Sequence, residues 1–196
     1  KQSSITEKMP VLQLCTKGEK SMTKIIKDRA IVEDDWEILQ LSEDDTADAI
    51  EVPEGKVIVP LKVWQLQRDK LIQRAKDRAD IAIWFSSNEQ AKELQTDLQF
   101  FHLLAVDFPK FADGRGYSIA YNLRTRFNYS GELRAIGDVL RDQLFYMQRV
   151  GFNSFEVRAD KNIHDAIKGL TDFSEKYQTS VDEKNPLFRR VERTGI

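Results

Sequence analysis

Residues 101–118, with the sequence FHLLAVDFPKFADGRGYS, decide how this chain folds. The first six residues are an apolar run that is short enough to be a buried strand. The remaining residues form a charged loop with two glycines, and behind it Ile119, Leu123 and Phe127 recur at helical spacing. The stretch therefore predicts a strand that passes through a polar loop into a helix.

The same alternation continues along the chain in both directions. Downstream, Glu132–Asp138 predicts a strand, Val139–Val150 a helix and Ser154–Arg158 the next strand. Upstream, Lys56–Trp64 is an extended run that precedes a helical pattern, and Asp80–Phe85 predicts a strongly apolar buried strand.

Three further elements complete the predicted order. Ser87, followed three residues later by Gln90, matches a capping box and predicts a helix that reaches Leu98. A last amphipathic helix is predicted from Asn162 to Tyr177. At the other end, two short strand-like runs within Thr23–Leu41 predict a β-hairpin.

This order predicts an α/β fold with a parallel sheet of about five βα units behind an N-terminal β-hairpin. The near-regular repeat favours a partial barrel that resembles part of a TIM barrel, and an open doubly wound sheet is the alternative. We expect a single α/β domain at residues 22–178. Residues 1–21 are expected to form a flexible extension, and residues 179–196 a charged tail without periodicity.

Composition excludes several classes of protein. The chain has 196 residues, 41% of them hydrophobic, and a net charge of −2, which argues against nucleic-acid or membrane partners. A single cysteine, Cys15, rules out an internal disulfide framework and fits the cytoplasm. Two histidines and no cysteine cluster predict no metal site and no intrinsic redox cofactor.

The charged loop and its neighbouring strand ends predict an anion site. Such a site would use a helix N-terminus and cationic side chains, with carboxylates orienting them. The candidate ligand-binding residues are Lys110, Arg115, Ser118 and Arg134, and the candidate orienting residues are Asp107, Asp113, Asp138 and Asp142. The alternative is structural: Asp113 and Asp138 would cap helices, and Arg134 would form a buried bridge. No catalytic or nucleotide-binding motif is complete, so no catalytic residue is assigned.

Several segments also carry a family resemblance: Ala105–Ser118, Leu123–Arg124, Gly131–Asp138, Val139–Leu144 and Gly151–Glu156. They resemble a bacterial family known as domain of unknown function 934, over roughly residues 22–177. Its members are described as probable oxidoreductases involved in sulfite reduction. The resemblance implies an accessory protein of assimilatory sulfite reduction that docks with sulfite reductase or its electron donor. The residues themselves leave open an alternative, an enzyme that binds a small anion or phosphate ligand at the 107–118 loop.

Overall fold

The computed structural model describes residues 22–42, 45–174, 176–185 and 189. The predictions for residues 1–21 and for most of the stretch beyond 185 lie outside these residues. Eight strands form one sheet: β1 (Thr23–Lys27), β2 (Ala30–Asp34), β3 (Glu37–Ile38), β4 (Val57–Pro60), β5 (Ile81–Phe85), β6 (Leu103–Phe108), β7 (Glu132–Gly137) and β8 (Ser154–Phe155). The helices are α1 (Leu61–Arg78), α2 (Arg115–Thr125), α3 (Arg141–Val150) and α4 (Ile163–Ala166).

The strands lie in the order β2-β1-β8-β7-β6-β5-β4-β3. Neighbours from β3 to β8 are parallel, whereas β1 is antiparallel to both β2 and β8. Strands β1 and β2 form the predicted hairpin. Because sequence neighbours are also sheet neighbours from β3 to β8, the order contains no reversal of the kind found in a doubly wound sheet.

The sheet curls into a half-barrel. Strands β2 and β3 lie at opposite edges of the strand order, yet only Asp35 and Trp36 separate them in the chain. Three residue steps span at most about 11 Å, so the two edges must approach each other where the chain crosses. The Trp84 indole N–H of β5 donates to the Leu39 carbonyl just past β3 at 3.0 Å, which ties the β3 edge to β5 across β4.

Alternation along the strands separates an outer face from an inner face. Val106, Phe108 and Leu133 belong to the main core, which packs beneath the helices. The opposite, inner face carries a smaller apolar cluster of Ile58, Ala82, Leu103, Ala105 and Ile136, flanked by Trp36, Ile38 and Trp84.

Several predicted elements need correction. The helix expected after Ser87 is replaced by two 3₁₀ helices, Ala91–Leu94 and Leu98–Phe100, so five complete βα units are not confirmed. The final helix is short: α4 runs into a 3₁₀ helix at Ile167–Thr171. Phe173 and Tyr177, which lie within the predicted helix, are 62% and 69% exposed, so the end of that stretch does not pack on the core.

Candidate ligand site at the carboxyl ends of the parallel strands

A cavity of about 400 Å³ opens where β6, β7 and β8 end. In parallel α/β folds, ligands bind at this end of the strands, because loops from several strands converge there. The charged side chains that line it are Lys24, Asp107, Glu156, Arg158 and Lys161. We call this cavity the mouth.

Asp107 and Glu156 occupy equivalent positions on either side of β7. Asp107 is paired with Ile136 in the sheet register. Ala135 is paired with Phe155, and the Glu156 N–H donates to the Ala135 carbonyl at 2.9 Å, so Glu156 follows directly beyond this pair. Two strand spacings place the two Cα atoms about 9–10 Å apart, and inward curvature brings side chains on the inner face closer together.

Neither of these carboxylates has a partner among the residues that the structure describes. Within the described part of the chain, no hydrogen bond or ion pair reaches the side chain of Asp107 or Glu156. Burial raises the pKa of Asp107, and the negative charge of Asp113 raises it further. Burial likewise raises the pKa of Glu156, which the positive charge of Arg134 offsets in part and Asp34 reinforces. Both groups are therefore poised to hold a proton at a higher pH than ordinary carboxyls do.

Gly137 leaves room for the Asp107 carboxylate. Its φ of +89° lies in the left-handed region that side chains disfavour, and a Cβ there would stand 2.5 Å from Asp107 Oδ1. The same Cβ would stand 2.6 Å from the Phe108 carbonyl oxygen. The end of β7 therefore requires a glycine, because it lies so close to the end of β6.

Asp138 joins the central loop to the cationic rim of the mouth. Its Oδ2 accepts from the Phe111 N–H at 2.8 Å, and its Oδ1 accepts from Arg158 Nη1 at 2.7 Å. Arg158 Nε also donates to Asp160 at 2.6 Å. These bonds raise the pKa of Arg158 and hold the pKa of Asp160 at about 2. Asp138 therefore orients a cation, but the cation is Arg158, and helix α3 begins later, with Leu140 as its N-cap.

The structure places Arg134 away from the loop. It is only 1% exposed on the inner face of β7, in register with Ala105, which precedes Asp107 by two residues. Its Nη1 and Nη2 donate to the two carboxylate oxygens of Asp34 at 2.7 and 3.0 Å, and Nη2 also donates to Glu132 at 2.9 Å. The predicted anion cradle is thus not assembled around Arg134, because Asp34 and Glu132 already hold the guanidinium below the mouth.

The remaining candidate residues are scattered outside the mouth. Arg115 donates from Nε to Asp113 at 2.9 Å and from Nη1 to Asn88, and the Asp113 carboxyl has a lowered pKa for this reason. Ser118 and Arg115 together line a separate groove beside α2. Lys110 is exposed and has no partner among the described residues, and Asp142 is exposed in the first turn of α3.

Two residues of the mouth, Glu156 and Lys24, are not among the candidates predicted from the sequence. Glu156 could have been found from its position, because it follows β8 as Asp107 closes β6. Lys24 gives no such signal, since it reaches the mouth through the antiparallel hairpin strand. Among the described residues, no group of three or more potential metal ligands comes together. In the same part of the chain, no helix has the length and apolar character needed to span a membrane.

Comparison with known proteins places the chain in a family. A family model described as a bacterial protein of unknown function (DUF934) matches residues 82–188. No curated protein and no solved structure matches the chain. The match starts within β5, continues through β6, β7 and β8, whose ends carry Asp107 and Glu156, and covers more than half of the chain. The chain therefore belongs to the DUF934 family.

Proposed function

We propose that this protein binds a small oxyanion at the mouth, with Asp107 and Glu156 as the groups that exchange protons with it. The observation that carries this proposal is a pair of half-buried, unpartnered carboxyls in a cavity at the carboxyl ends of parallel strands. A carboxyl whose pKa is raised by burial inside a cleft is a functional-site signal, because active sites arrange burial and neighbouring charges to shift the pKa of the groups that react.

The charges around the mouth favour an oxyanion once the carboxyls are protonated. A protonated carboxyl donates a hydrogen bond, and burial promotes that form in both residues. Lys24 adds a cation without a partner among the described residues, and Arg158 adds a second that Asp138 holds in position. Hydrogen-bond donors and cations together suit a small oxyanion, whose negative charge increases when it loses a proton.

The proposed setting is assimilatory sulfite reduction in the cytoplasm. Support comes from the resemblance to the DUF934 family, whose members are described as probable oxidoreductases involved in that process. Sulfite, an oxyanion that accepts protons, is the first ligand to test. In this proposed role the chain is an accessory protein that docks with sulfite reductase or its electron donor. It works without a redox cofactor of its own.

A second function, docking on that partner, is favoured by exposed aromatic side chains outside the barrel. Tyr121 on α2, Tyr146 on α3 and Phe173 are 44%, 53% and 62% exposed. Large aromatic residues are enriched at the energetic centres of protein interfaces. Tyr146 packs against Tyr117 with ring centroids 5.0 Å apart, so its ring is held in place before any partner binds.

The ligand proposal is tested by titrating sulfite into the protein at several pH values and following the backbone amides by NMR. We expect binding to strengthen as the pH falls toward the raised pKa of the two carboxyls, because the carboxyls must be protonated to donate. Asp107→Leu should weaken binding by about tenfold or more, since a hydrogen bond to a charged group contributes roughly 1.5–3 kcal/mol. Asp107→Asn keeps a donor, so it should bind while losing part of the pH dependence.

Asp48→Asn is the matched control, because Asp48 is exposed and lies outside the mouth. Unchanged affinity in Asp107→Leu and in Glu156→Leu, with both proteins folded, would refute the ligand proposal. Docking is tested separately by co-purification of sulfite reductase with the wild-type chain and with Tyr146→Ala. Mouth variants that still co-purify but no longer bind sulfite would show that the two functions are independent.

A further inference from the structure

The missing helix between β5 and β6 leaves a groove on the outside of the half-barrel. Residues 87–90 form a turn, and a 3₁₀ helix begins only at Ala91, so this segment stands beside α2 without filling the space that a full helix would occupy. The resulting cavity has a volume of about 340 Å³ and lies between this segment and α2. It has no residue in common with the lining of the mouth.

Polar side chains of α2 form a stripe along this groove. Arg115, Ser118, Asn122 and Arg126 follow one another at intervals of three or four residues, so they share one face of the helix. The stripe is about 16 Å long, given the rise of 1.5 Å per residue. It has a guanidinium cation at each end, and it supplies a hydroxyl and an amide between them.

The lining of the groove carries an excess of positive charge. Its cations are Arg115, Arg126 and Lys92, and its carboxylate is Glu89. Glu89 is engaged, because its Oε2 accepts from the Ser86 N–H at 2.6 Å, and burial raises its pKa. Arg115 is paired with Asp113, whereas Lys92 and Arg126 have no ion pair within the part of the chain that the structure describes.

Arg126 also stands at the junction of two cavities. A second cavity of about 570 Å³, lined by residues 95–102 and 126–131, shares Arg126 and Phe127 with the groove. The buried Ile119 and the half-buried Phe127 provide an apolar floor. A ligand whose anionic group binds at Arg126 therefore has space for the rest of its molecule in either cavity.

We propose that this groove is a second anion site, which binds a tetrahedral phosphate or sulfate group between Lys92 and Arg126, either free or as an ester. Lys92 supplies a point charge, and Arg126 supplies two parallel donors that match an oxyanion. Ser118 and Asn122 complete the hydrogen bonding along the stripe. The site lies beyond the function proposed for the mouth and does not depend on it.

The experiment follows the amides of residues 87–92 and of α2 by NMR while inorganic phosphate, inorganic sulfate or AMP is added to the full chain. We expect shifts along this stripe with all three probes, and adenosine without its phosphate should bind far more weakly. Tighter binding of AMP than of phosphate and sulfate would identify an ester with an aromatic body, and equal affinities would identify the free oxyanion.

Arg126→Ala and Lys92→Ala should each weaken binding by about tenfold or more, and Arg126→Lys should restore part of it. Arg78→Ala and Lys70→Ala, which remove exposed cations of α1, are the matched controls and should bind normally. Because Arg126 and Lys92 are exposed, thermal unfolding should be unchanged in all four alanine variants. Absence of shifts with every probe at millimolar concentration, or shifts that survive Arg126→Ala at full affinity, would overturn the proposal.

Discussion

Replacing Arg134 by methionine tests how the inside of the half-barrel is held together. The Arg134 guanidinium makes bidentate hydrogen bonds to Asp34 at 2.7 and 3.0 Å, and it donates to Glu132 at 3.1 and 2.9 Å. Asp34 is 8% exposed. Its carboxylate accepts from no other group among the described residues, so the variant strands a buried charge.

The expected loss of unfolding free energy is about 3–5 kcal/mol, the usual cost of removing one partner from a buried ion pair. Glu132 does not double this figure, because Lys27 Nζ remains 2.6 Å from its carboxylate. Methionine fills much of the space of the arginine stem, which keeps any cavity cost small. Because the unfolding free energy of a typical protein is about 5–15 kcal/mol, the variant should still fold, but the urea concentration at its unfolding midpoint should be clearly lower.

Urea unfolding followed by tryptophan fluorescence measures this loss at pH 7 and at about pH 4, which lies below the ordinary pKa of Glu132. Burial raises the pKa of Glu132, but Arg134, Lys27 and Ser154 outweigh burial, so its pKa is lowered overall. The stability that Glu132 contributes in the wild type is therefore present above its ordinary pKa and is lost as the pH falls below it. The variant lacks the Arg134 charge that helps to lower this pKa, so it has less of this stability to lose, and the difference between the two proteins should shrink below the ordinary pKa of Glu132.

A double variant, Arg134→Met with Asp34→Leu, removes the stranded charge and should recover at least about half of the loss. A loss below about 1 kcal/mol for Arg134→Met at pH 7 would refute the reasoning. So would a loss that is identical at pH 7 and at about pH 4, or a double variant no more stable than the single one.

Three further outcomes are expected. Gly137→Ala should lower the unfolding free energy by roughly 1–3 kcal/mol in urea titrations, because its Cβ meets Asp107 Oδ1 and its φ is positive; equal stability would contradict the close approach. Glu156→Gln should be more stable than the wild type at pH 7 and equal to it below about pH 4. The pKa of Glu156 is raised in the folded state, so the folded protein favours the protonated side chain and loses stability as the pH rises and the side chain ionises. Thermal melts at both pH values decide this. Arg124→Ala should cost about 2–4 kcal/mol, since Arg124 donates to the Gly151 carbonyl at 2.9 Å and to two further loop carbonyls; Arg78→Ala is the control for thermal melts, and an equal midpoint for the two variants would exclude this role.

The sheet was predictable because its strands are apolar runs that lie between buried layers. Within the predicted strands Asp80–Phe85 and Phe101–Val106, residues 81–85 and 103–106 have no polar interruption that could move them to the surface, and these residues lie in β5 and β6. Likewise, a full charge at Arg134 within a strand had to find a partner. The partner that it has could not be predicted, because Asp34 is 100 residues away in the chain and reaches it only through the curl of the sheet.

The helix expected after β5 fails for a physical reason. Ala91 and Leu94 are buried three residues apart, a spacing that fits a 3₁₀ helix as well as an α-helix. Asp97 then accepts from the Trp64 indole at 3.0 Å and from Arg68 at 2.7 and 2.8 Å, which fixes this segment to α1. These long-range bonds leave no local trace in the residue pattern.

The distribution of paired and unpaired charge within the half-barrel indicates where function lies. Midway along the inner face, Arg134 is balanced by two carboxylates, so this charge serves the fold. At the carboxyl ends, Asp107 and Glu156 are half-buried and unbalanced, a state that lowers stability at neutral pH. A neutral side chain at either position should give a more stable protein, so stability does not explain them. Proteins retain such destabilising groups where activity needs them, which is the physical reason to look for the ligand at the mouth first.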